Sequence, residues 1–178
     1  HVIASCSNEL AAALTVSSIC EPEQFAFLRL AGKATLGTRL ADPIITPASC
    51  DAGLSHTLGY DNMVFNHMET HGLQLLEDCR RVWTESDHAM DENALMHLAA
   101  TAAPLESLVN LADPRFATSD DLIPKIQAYC KETGQTVPRK PGTIFRCVLE
   151  SLAFLYRRKL DELGDLTNQE FARLHLLG

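Results

Sequence analysis

A long apolar helix pattern, followed closely by a short apolar run, is the feature that most constrains the fold of this chain. Residues 139–163 carry apolar side chains at helical spacing, over a band wider than a single stripe. These side chains are Ile144, Cys147, Val148, Leu152, Phe154 and Leu155. Residues 171–178, FARLHLLG, then form an apolar run typical of a buried strand. So wide a band predicts a core helix with layers on more than one side, after which the chain returns as a strand.

The first 40 residues predict strands around one helix. A short apolar run at 2–5 leads into a helix that begins near Asn8, a residue type that caps helices well. Two β-prone runs follow, at 25–30 and 34–40. They are separated by the glycine-containing stretch 31–33, which predicts the turn of a hairpin.

The middle of the chain changes from loop to helix. Residues 41–62 are rich in Pro, Ser, Asp and Gly, and predict mostly loop, with a short strand at 43–46 as an open possibility. Helical spacing of apolar residues predicts helices over 69–83 and 91–103. The run SLVNL at 107–111 has the composition of a strand.

A further helix is predicted before the long one. Thr118 or Ser119 is placed to cap it, and Gly134 to end it. Pro124 then lies close to the first turn, where a missing N–H costs least. Strands and helices in this order predict an α/β domain of three layers, α/β/α, around a mixed sheet.

Composition and charge exclude several classes of protein. Of the 178 residues, 46% are hydrophobic and 21% charged, and no run of about 18 apolar residues marks a membrane span. Fifteen Lys and Arg against 23 Asp and Glu give a net charge of −8, which argues against a nucleic-acid partner. Six scattered cysteines without a CxxC pair favour a reducing, cytoplasmic setting.

An ordered set of motifs in residues 110–178 resembles a known family. The set comprises DPRF, a helix that ends CKETGQ, a proline-bearing loop, RCVLESLAFLYRRKLDEL, and the strand RLHLLG. It is similar to the carboxyl-terminal domain of rhamnulokinase-type members of the FGGY family of carbohydrate kinases. Residues 70–83, THGLQLLEDCRRVW, resemble the family helix that contains GLWLL and extend the similarity upstream.

The resemblance implies an actin-like fold with an RNase-H-like core. Such kinases have two halves, with the sugar and ATP in the cleft between them, and use Mg²⁺. By this resemblance, residues 1–178 are an incomplete carboxyl-terminal, nucleotide-side domain, and the sugar-binding amino-terminal half is absent. Gly178 matches the first glycine of the loop that contacts adenosine, so we expect the chain to stop where that loop begins.

The resemblance also assigns a catalytic position. The family places its general base, an Asp, in the motif SHDTA directly after the first strand. Here the corresponding stretch is SCSNELAAA, and Asn8 occupies the place of the Asp. An amide cannot accept the proton of an attacking hydroxyl. The neighbouring Glu9 could serve as the base in principle, but it would be turned about 100 degrees away on a helix. The favoured interpretation is Asn8 as an N-cap and Glu9 as a first-turn carboxylate that the helix dipole stabilises.

The expected ATP-contacting residues lie in the hairpin and at the final glycine. The family hairpin reads SSGTW, whereas this chain has RLAGKATLG. By this alignment Ala31, Gly32, Lys33 and Gly178 are the candidates for ATP binding. Lys33 would meet a phosphate as a point charge, and the alternative is a simple solvated turn lysine.

Two acidic substitutions weaken the kinase interpretation. Glu69 and Glu77 occupy the places of a family Asn near the sugar and a Gln near ATP. Carboxylates there would repel phosphates. The first hypothesis is that the chain is part of a kinase that phosphorylates L-rhamnulose or a related ketose at O1. Under this hypothesis the chain by itself neither turns over substrate nor binds ATP tightly. The alternative is a kinase-like binding or regulatory protein without catalysis.

Histidines and cysteines offer weaker candidates. His67 and His71 in HMETH would share one face of a helix, but a zinc site there is less favoured than two exposed histidines, and no metal ligand is assigned. His175 alternates with leucines in a strand, as a solvent-side or interlayer residue would. The related kinases carry a cysteine pair that can form a disulfide at the positions of Cys130 and Cys147. We expect these two residues to lie close together, with either a disulfide or two reduced thiols possible.

Overall fold

The structure, a computed structural model, describes residues 25–59, 62–84, 91–118 and 120–178. The strand expected at 2–5, the helix after it and Asn8 lie outside the described residues. The described chain divides into two compact units. One unit contains the described residues up to Thr70 together with Arg158–Gly178, and the other is His71–Arg157.

Five strands and five α-helices form the described secondary structure. The strands are β1 (Phe25–Arg29), β2 (Lys33–Leu40), β3 (Ser55–Leu58), β4 (Val64–His71) and β5 (Arg173–Leu177). The helices are α1 (Pro47–Asp51), α2 (Gln74–Thr84), α3 (Glu92–Thr101), α4 (Leu122–Glu132) and α5 (Pro141–Thr167), with a 3₁₀ turn at Pro114–Phe116.

The strands form one sheet in the order β3-β4-β2-β1-β5. β1 pairs antiparallel with β2 and parallel with β5, while β3 pairs antiparallel with β4. The expected mixed sheet and the hairpin are therefore confirmed. The hairpin turn lies one residue earlier than predicted, at 30–32, because Lys33 already begins β2. β1 is buried along almost its whole length, as expected for an interior strand with a parallel neighbour.

Aromatic packing fixes the interior of the sheet. Phe25, Phe27 and Phe65 form a buried cluster, and the rings of Phe27 and Phe65 meet edge to face with centroids 6.2 Å apart. A Cβ at Gly37 would lie 2.7 Å from the carbonyl oxygen of Asn66. Only glycine therefore fits at this point of β2, where the neighbouring strand approaches most closely.

The second unit has its own hydrophobic core, built around α5. The predicted stripe is confirmed, because Ile144, Val148, Leu152 and Leu155 are all buried. Phe154 is 52% exposed, so the apolar band does not extend as far round the helix as its sequence suggests. The remaining core comes mainly from α2, α3 and α4.

Of two predictions between residues 41 and 83, one holds in part and the other is wrong. The helix expected over 69–83 forms from Gln74 onwards, whereas residues 69–71 are the end of the strand β4. The possible strand at 43–46 is absent from the described chain. Instead Thr46 caps α1 through a reciprocal pair of hydrogen bonds with Ser49, and β3 follows.

The strand predicted at 107–111 is also wrong. Its backbone groups bond to side chains from distant parts of the chain instead of a neighbouring strand. Leu108 N donates to Gln135 Oε1 at 2.8 Å, and Val109 N donates to Ser151 Oγ at 3.0 Å. Val109 and Leu111 are nevertheless buried, so the apolar pattern reflects core packing without a ladder.

The helix before α5 forms as predicted, with a different cap. α4 ends two residues before Gly134, which has a positive φ of 70°, and Pro124 lies in the first turn. The N-cap is Asp121, in the left-handed conformation at φ 52° and without a side-chain capping bond.

Among the described residues, no helix combines the length and apolarity needed to cross a membrane.

Candidate functional site

The carboxyl ends of the two parallel strands lie side by side. Arg29 at the end of β1 pairs with Leu177 at the end of β5, and Leu30 N donates to Leu177 O at 2.7 Å. The hairpin turn and Gly178 are thereby attached to the same end of the sheet. In open α/β sheets, ligands bind at the carboxyl ends of parallel strands.

The four residues assigned to ATP all belong to this end of the sheet. Ala31 is half-buried, and Gly32, Lys33 and Gly178 are exposed. A Cβ added at Gly178 would meet no atom within 4 Å. The sheet end therefore offers exposed backbone and one lysine, groups that suit the phosphates of a nucleotide.

Lys33 already has a carboxylate partner. Its Nζ lies 3.3 Å from Glu69 Oε2, and the two side chains are 78% and 63% exposed. Exposed ion pairs of this kind contribute only about 0–1 kcal/mol, so an arriving anion can compete for the ammonium. Glu69, which the sequence alignment placed near the sugar, thus lies beside the candidate phosphate contact.

Residues 51–178 match the model of the carboxyl-terminal domain of the FGGY family of carbohydrate kinases. The chain belongs to this family. A rhamnulokinase of Bacteroides thetaiotaomicron is 32% identical over 154 residues, which are 86% of this chain and 31% of that protein. A rhamnulokinase of Pectobacterium carotovorum subsp. carotovorum is 31% identical over 177 residues, 99% of this chain and 35% of that protein. The chain therefore spans about a third of the length of these curated relatives.

Solved structures show the same fold. The xylulose kinase of Bifidobacterium adolescentis matches 95% of this chain and 31% of its own, with a TM-score of 0.63 and 16% identity. The xylulose kinase of Rhodospirillum rubrum matches 89% of this chain and 30% of its own, with a TM-score of 0.60 and 18% identity. The α/β, actin-like fold expected for an FGGY domain is confirmed.

Glu77, the second acidic substitution within the family pattern, lies on α2 in the second unit. Arg80 Nε donates to Glu77 Oε2 at 2.9 Å. This hydrogen bond from Arg80 lowers the pKa of the Glu77 carboxyl below its usual range. The charge of Glu77 is thus partly balanced by a neighbour one turn along the helix.

The helical arrangement expected for the two histidines is wrong, because His67 and His71 belong to the strand β4. His67 Nε2 lies 2.9 Å from Thr57 Oγ1 on the adjacent strand. Burial lowers the pKa of His71, which belongs to the second unit. No cluster of three metal-ligating side chains exists among the residues that the structure describes. His175 is half-buried and meets Phe25 edge to face at 5.9 Å, so it packs between β5 and β1.

Cys130 and Cys147 lie close together, as the family alignment requires. Both side chains are buried free thiols, and each affects the pKa of the other, as neighbouring groups do. Burial raises the pKa of the Cys130 thiol, and raises that of Cys147 to about 12. The structure thus contains the reduced pair, one of the two states left open by the sequence.

A polar network that the sequence analysis missed joins α5 to the end of α3. Arg146 Nη1 donates to the carbonyl oxygens of Ala99 and Ala102, both at 2.9 Å, and its Nε donates to Glu150 Oε1 at 2.8 Å. Glu150 Oε2 accepts from Leu105 N at 2.9 Å. The available signal was the Arg–Glu spacing of four residues on a helix.

Proposed function

We propose that this chain is the nucleotide-side part of an FGGY carbohydrate kinase of the rhamnulokinase type. The reaction would transfer the γ-phosphoryl group of ATP to the 1-hydroxyl of L-rhamnulose or a related ketose. The observation that carries the proposal is the 31% identity to a rhamnulokinase over 99% of the chain. It is supported by the family match and by a sheet end at which the four assigned residues are exposed or half-exposed.

The residues of the sheet end would bind the nucleotide through its phosphates and its adenosine. The glycine at 32 leaves the backbone open to close approach, and Lys33 would exchange Glu69 for a phosphate oxygen. Ala31 and Gly178 would border the nucleotide from β1 and β5. Because Lys33 must leave a carboxylate to do so, its contribution to binding is reduced by the loss of that ion pair.

Mg²⁺ would enter with the nucleotide. The described residues provide no group of three carboxylates or histidines to hold an ion. Mg²⁺ in kinases is usually held by one or two carboxylates together with the substrate phosphates. The phosphates of the nucleotide would therefore supply most of the ligands of the ion.

The chain by itself would neither turn over nor bind ATP tightly. It corresponds to 35% of the length of its relative, and phosphoryl transfer depends on both halves of a cleft for positioning and charge stabilisation. Asn8, at the position of the base, adds a second obstacle, since loss of a general base costs about 10²- to 10⁴-fold in rate. From the scattered cysteines without a CxxC pair, we also propose a cytoplasmic location for the protein.

Lys33→Gln in the complete protein tests the proposed nucleotide contact, with both the parent and the variant carrying Asn8→Asp so that the general base is present. We expect the KM for ATP to rise several-fold with little change in the KM for the ketose, measured by coupled ADP release with L-rhamnulose and with D-xylulose as substrates. Lys125→Gln is the matched control, because the Lys125 side chain bonds only to Thr118 among the described residues. An unchanged KM for ATP in Lys33→Gln would remove the assigned contact, and activity with neither sugar in the Asn8→Asp parent would refute the proposed substrate class.

A further inference from the structure

A cavity of about 230 Å³ lies within the second unit, between three segments of the chain. Its walls come from residues 103–107, from the loop 136–140 and from the first turns of α5. A water molecule occupies about 30 Å³ of liquid volume, so the cavity has room for a small polyatomic ligand. None of its lining residues belongs to the sheet end assigned to the nucleotide.

Two of the charged groups that line the cavity already satisfy each other. The carboxylate of Glu150 accepts from Arg146 Nε with one oxygen and from Leu105 N with the other. Arg146 Nη1 donates to carbonyl oxygens at the end of α3. This pair is therefore a fixed, neutral part of the wall and has no need of a ligand.

Two further cations at the cavity have no such partner. Arg139 and Lys140 are exposed, and neither side chain has an acceptor among the described residues. By contrast, Arg80, Arg81 and Arg115 in the same unit each pair with a carboxylate. In a chain of net charge −8, these two adjacent cations outnumber the single unpaired carboxylate that lines the cavity, so the cavity attracts a small anion.

The start of α5 adds to this attraction. Lys140 provides no side-chain cap and Pro141 has no N–H, while the first-turn N–H of Thr143 has no acceptor among the described residues. Thr143 lines the cavity directly. Unpaired N–H groups at a helix start bind oxyanions, here beside two cationic side chains from the preceding loop.

Glu106 determines which anion fits. It lines the same cavity, is exposed, and has no partner among the described residues. A carboxylate repels a fully deprotonated oxyanion, but it accepts a hydrogen bond from one that keeps a proton. Phosphate keeps at least one proton at neutral pH, whereas sulfate keeps none.

We propose that this cavity is a second site, which binds a small protonated oxyanion such as hydrogen phosphate. Arg139, Lys140 and the first turn of α5 hold its oxygens, and Glu106 accepts its proton in a hydrogen bond. The site is distinct from the proposed nucleotide site, because none of these residues belongs to the sheet end assigned to the nucleotide.

Calorimetric titration of the purified chain with inorganic phosphate, and separately with sulfate, tests the proposal. We expect saturable binding of phosphate and weaker binding of sulfate. The double variant Arg139→Gln/Lys140→Gln should lose about tenfold or more in affinity, since two charge-assisted hydrogen bonds are removed. Glu106→Gln should reduce the preference for phosphate, because an amide donates to sulfate as readily as it accepts from phosphate.

Lys125→Gln and Lys131→Gln together form the control, since they remove two cations of α4 outside the cavity. Circular dichroism would establish that each variant is folded. Equal loss of affinity in this control would show non-specific attraction and refute the site. No saturable phosphate binding, or binding unchanged in Arg139→Gln/Lys140→Gln, would refute it as well. An unchanged preference in Glu106→Gln would refute the role of Glu106.

Discussion

Replacing Gly37 by alanine should destabilise the sheet through a steric clash that cannot be relieved locally. The added Cβ would lie 2.7 Å from Asn66 O, 2.8 Å from His67 Cβ and 2.8 Å from Phe27 Cζ. The first two atoms belong to the paired strand β4, and the third to a buried ring of the aromatic cluster. Carbon–oxygen and carbon–carbon contacts need more than 3 Å, so the strands or the ring must move.

The magnitude follows from two opposing effects. Overpacking a well-packed interior costs about 1–3 kcal/mol. Alanine also restricts the unfolded chain, which offsets about 0.4–1 kcal/mol of that cost. The net expectation is a loss of about 1–2 kcal/mol in the free energy of unfolding. In a protein of this size, each kcal/mol lost lowers Tm by roughly 2–4 °C.

Urea unfolding followed by circular dichroism would measure this loss, with Gly178→Ala as the matched control. The control adds the same methyl group where no atom lies within 4 Å. Gly37→Ala should lower the midpoint of unfolding without changing the denaturant slope, while the control should not. A Gly37→Ala protein as stable as the parent would show that β2 and β4 do not approach as closely as the structure has them.

Three further predictions concern other residues. Asn66→Ala should cost about 1–3 kcal/mol in urea unfolding, because the buried amide accepts from Ile44 N at 2.9 Å and that N–H would lose its acceptor; an unchanged midpoint would contradict this. Thiol labelling followed by mass spectrometry at pH 8 should modify exposed Cys50 well before Cys147, whose pKa of about 12 leaves it protonated until the chain unfolds; equal labelling rates would contradict this. Asn8→Asp in the complete protein should raise kcat by about 10²- to 10⁴-fold in the ADP-release assay if the site lacks only its base, whereas continued inactivity would favour the binding or regulatory alternative.

The pKa of Cys147 also has a consequence for stability. Burial raises it to about 12 in the folded chain, above the value of an exposed thiol in the unfolded chain. A group of this kind favours the folded state fully below the unfolded pKa, near 8.5, and that contribution falls as the pH rises from there towards 12. Stability falls with rising pH in this range because the thiol loses its proton at a lower pH in the unfolded chain than in the folded chain.

Local patterns correctly predicted the elements whose partners are near in sequence and those whose apolar pattern extends over several turns. The stripe of α5 repeats over several turns, and the hairpin of β1 and β2 needs only a short turn. Residues 69–71 were included in the predicted helix but belong to β4, a strand that lies between β3 and β2 in the sheet. Single-segment spacing contains no information about such partners.

The same limit explains the error at 107–111. Its composition predicts a strand, yet Leu108 and Val109 bond to the side chains of Gln135 and Ser151. Both partners are polar residues on later segments, which the sequence presents as ordinary helix-end and helix-face residues. The cavity residues Arg139 and Lys140 were likewise indistinguishable from a solvated loop until the fold placed Glu106 at the same cavity.

The candidate nucleotide site depends on a contact between the most distant described parts of the chain. Ala31, Gly32 and Lys33 follow β1, while Gly178 follows β5, and the two strands meet in a parallel register that runs from Phe25–Arg173 to Arg29–Leu177. The hairpin sequence alone therefore does not form the candidate site, because Gly178 lies beside the hairpin turn only when β5 pairs with β1. Long-range parallel pairing also forms late in folding, since the loop-closure entropy must be overcome first. It follows that substitutions which weaken β1–β5 pairing should affect nucleotide affinity even where they touch none of the four assigned residues.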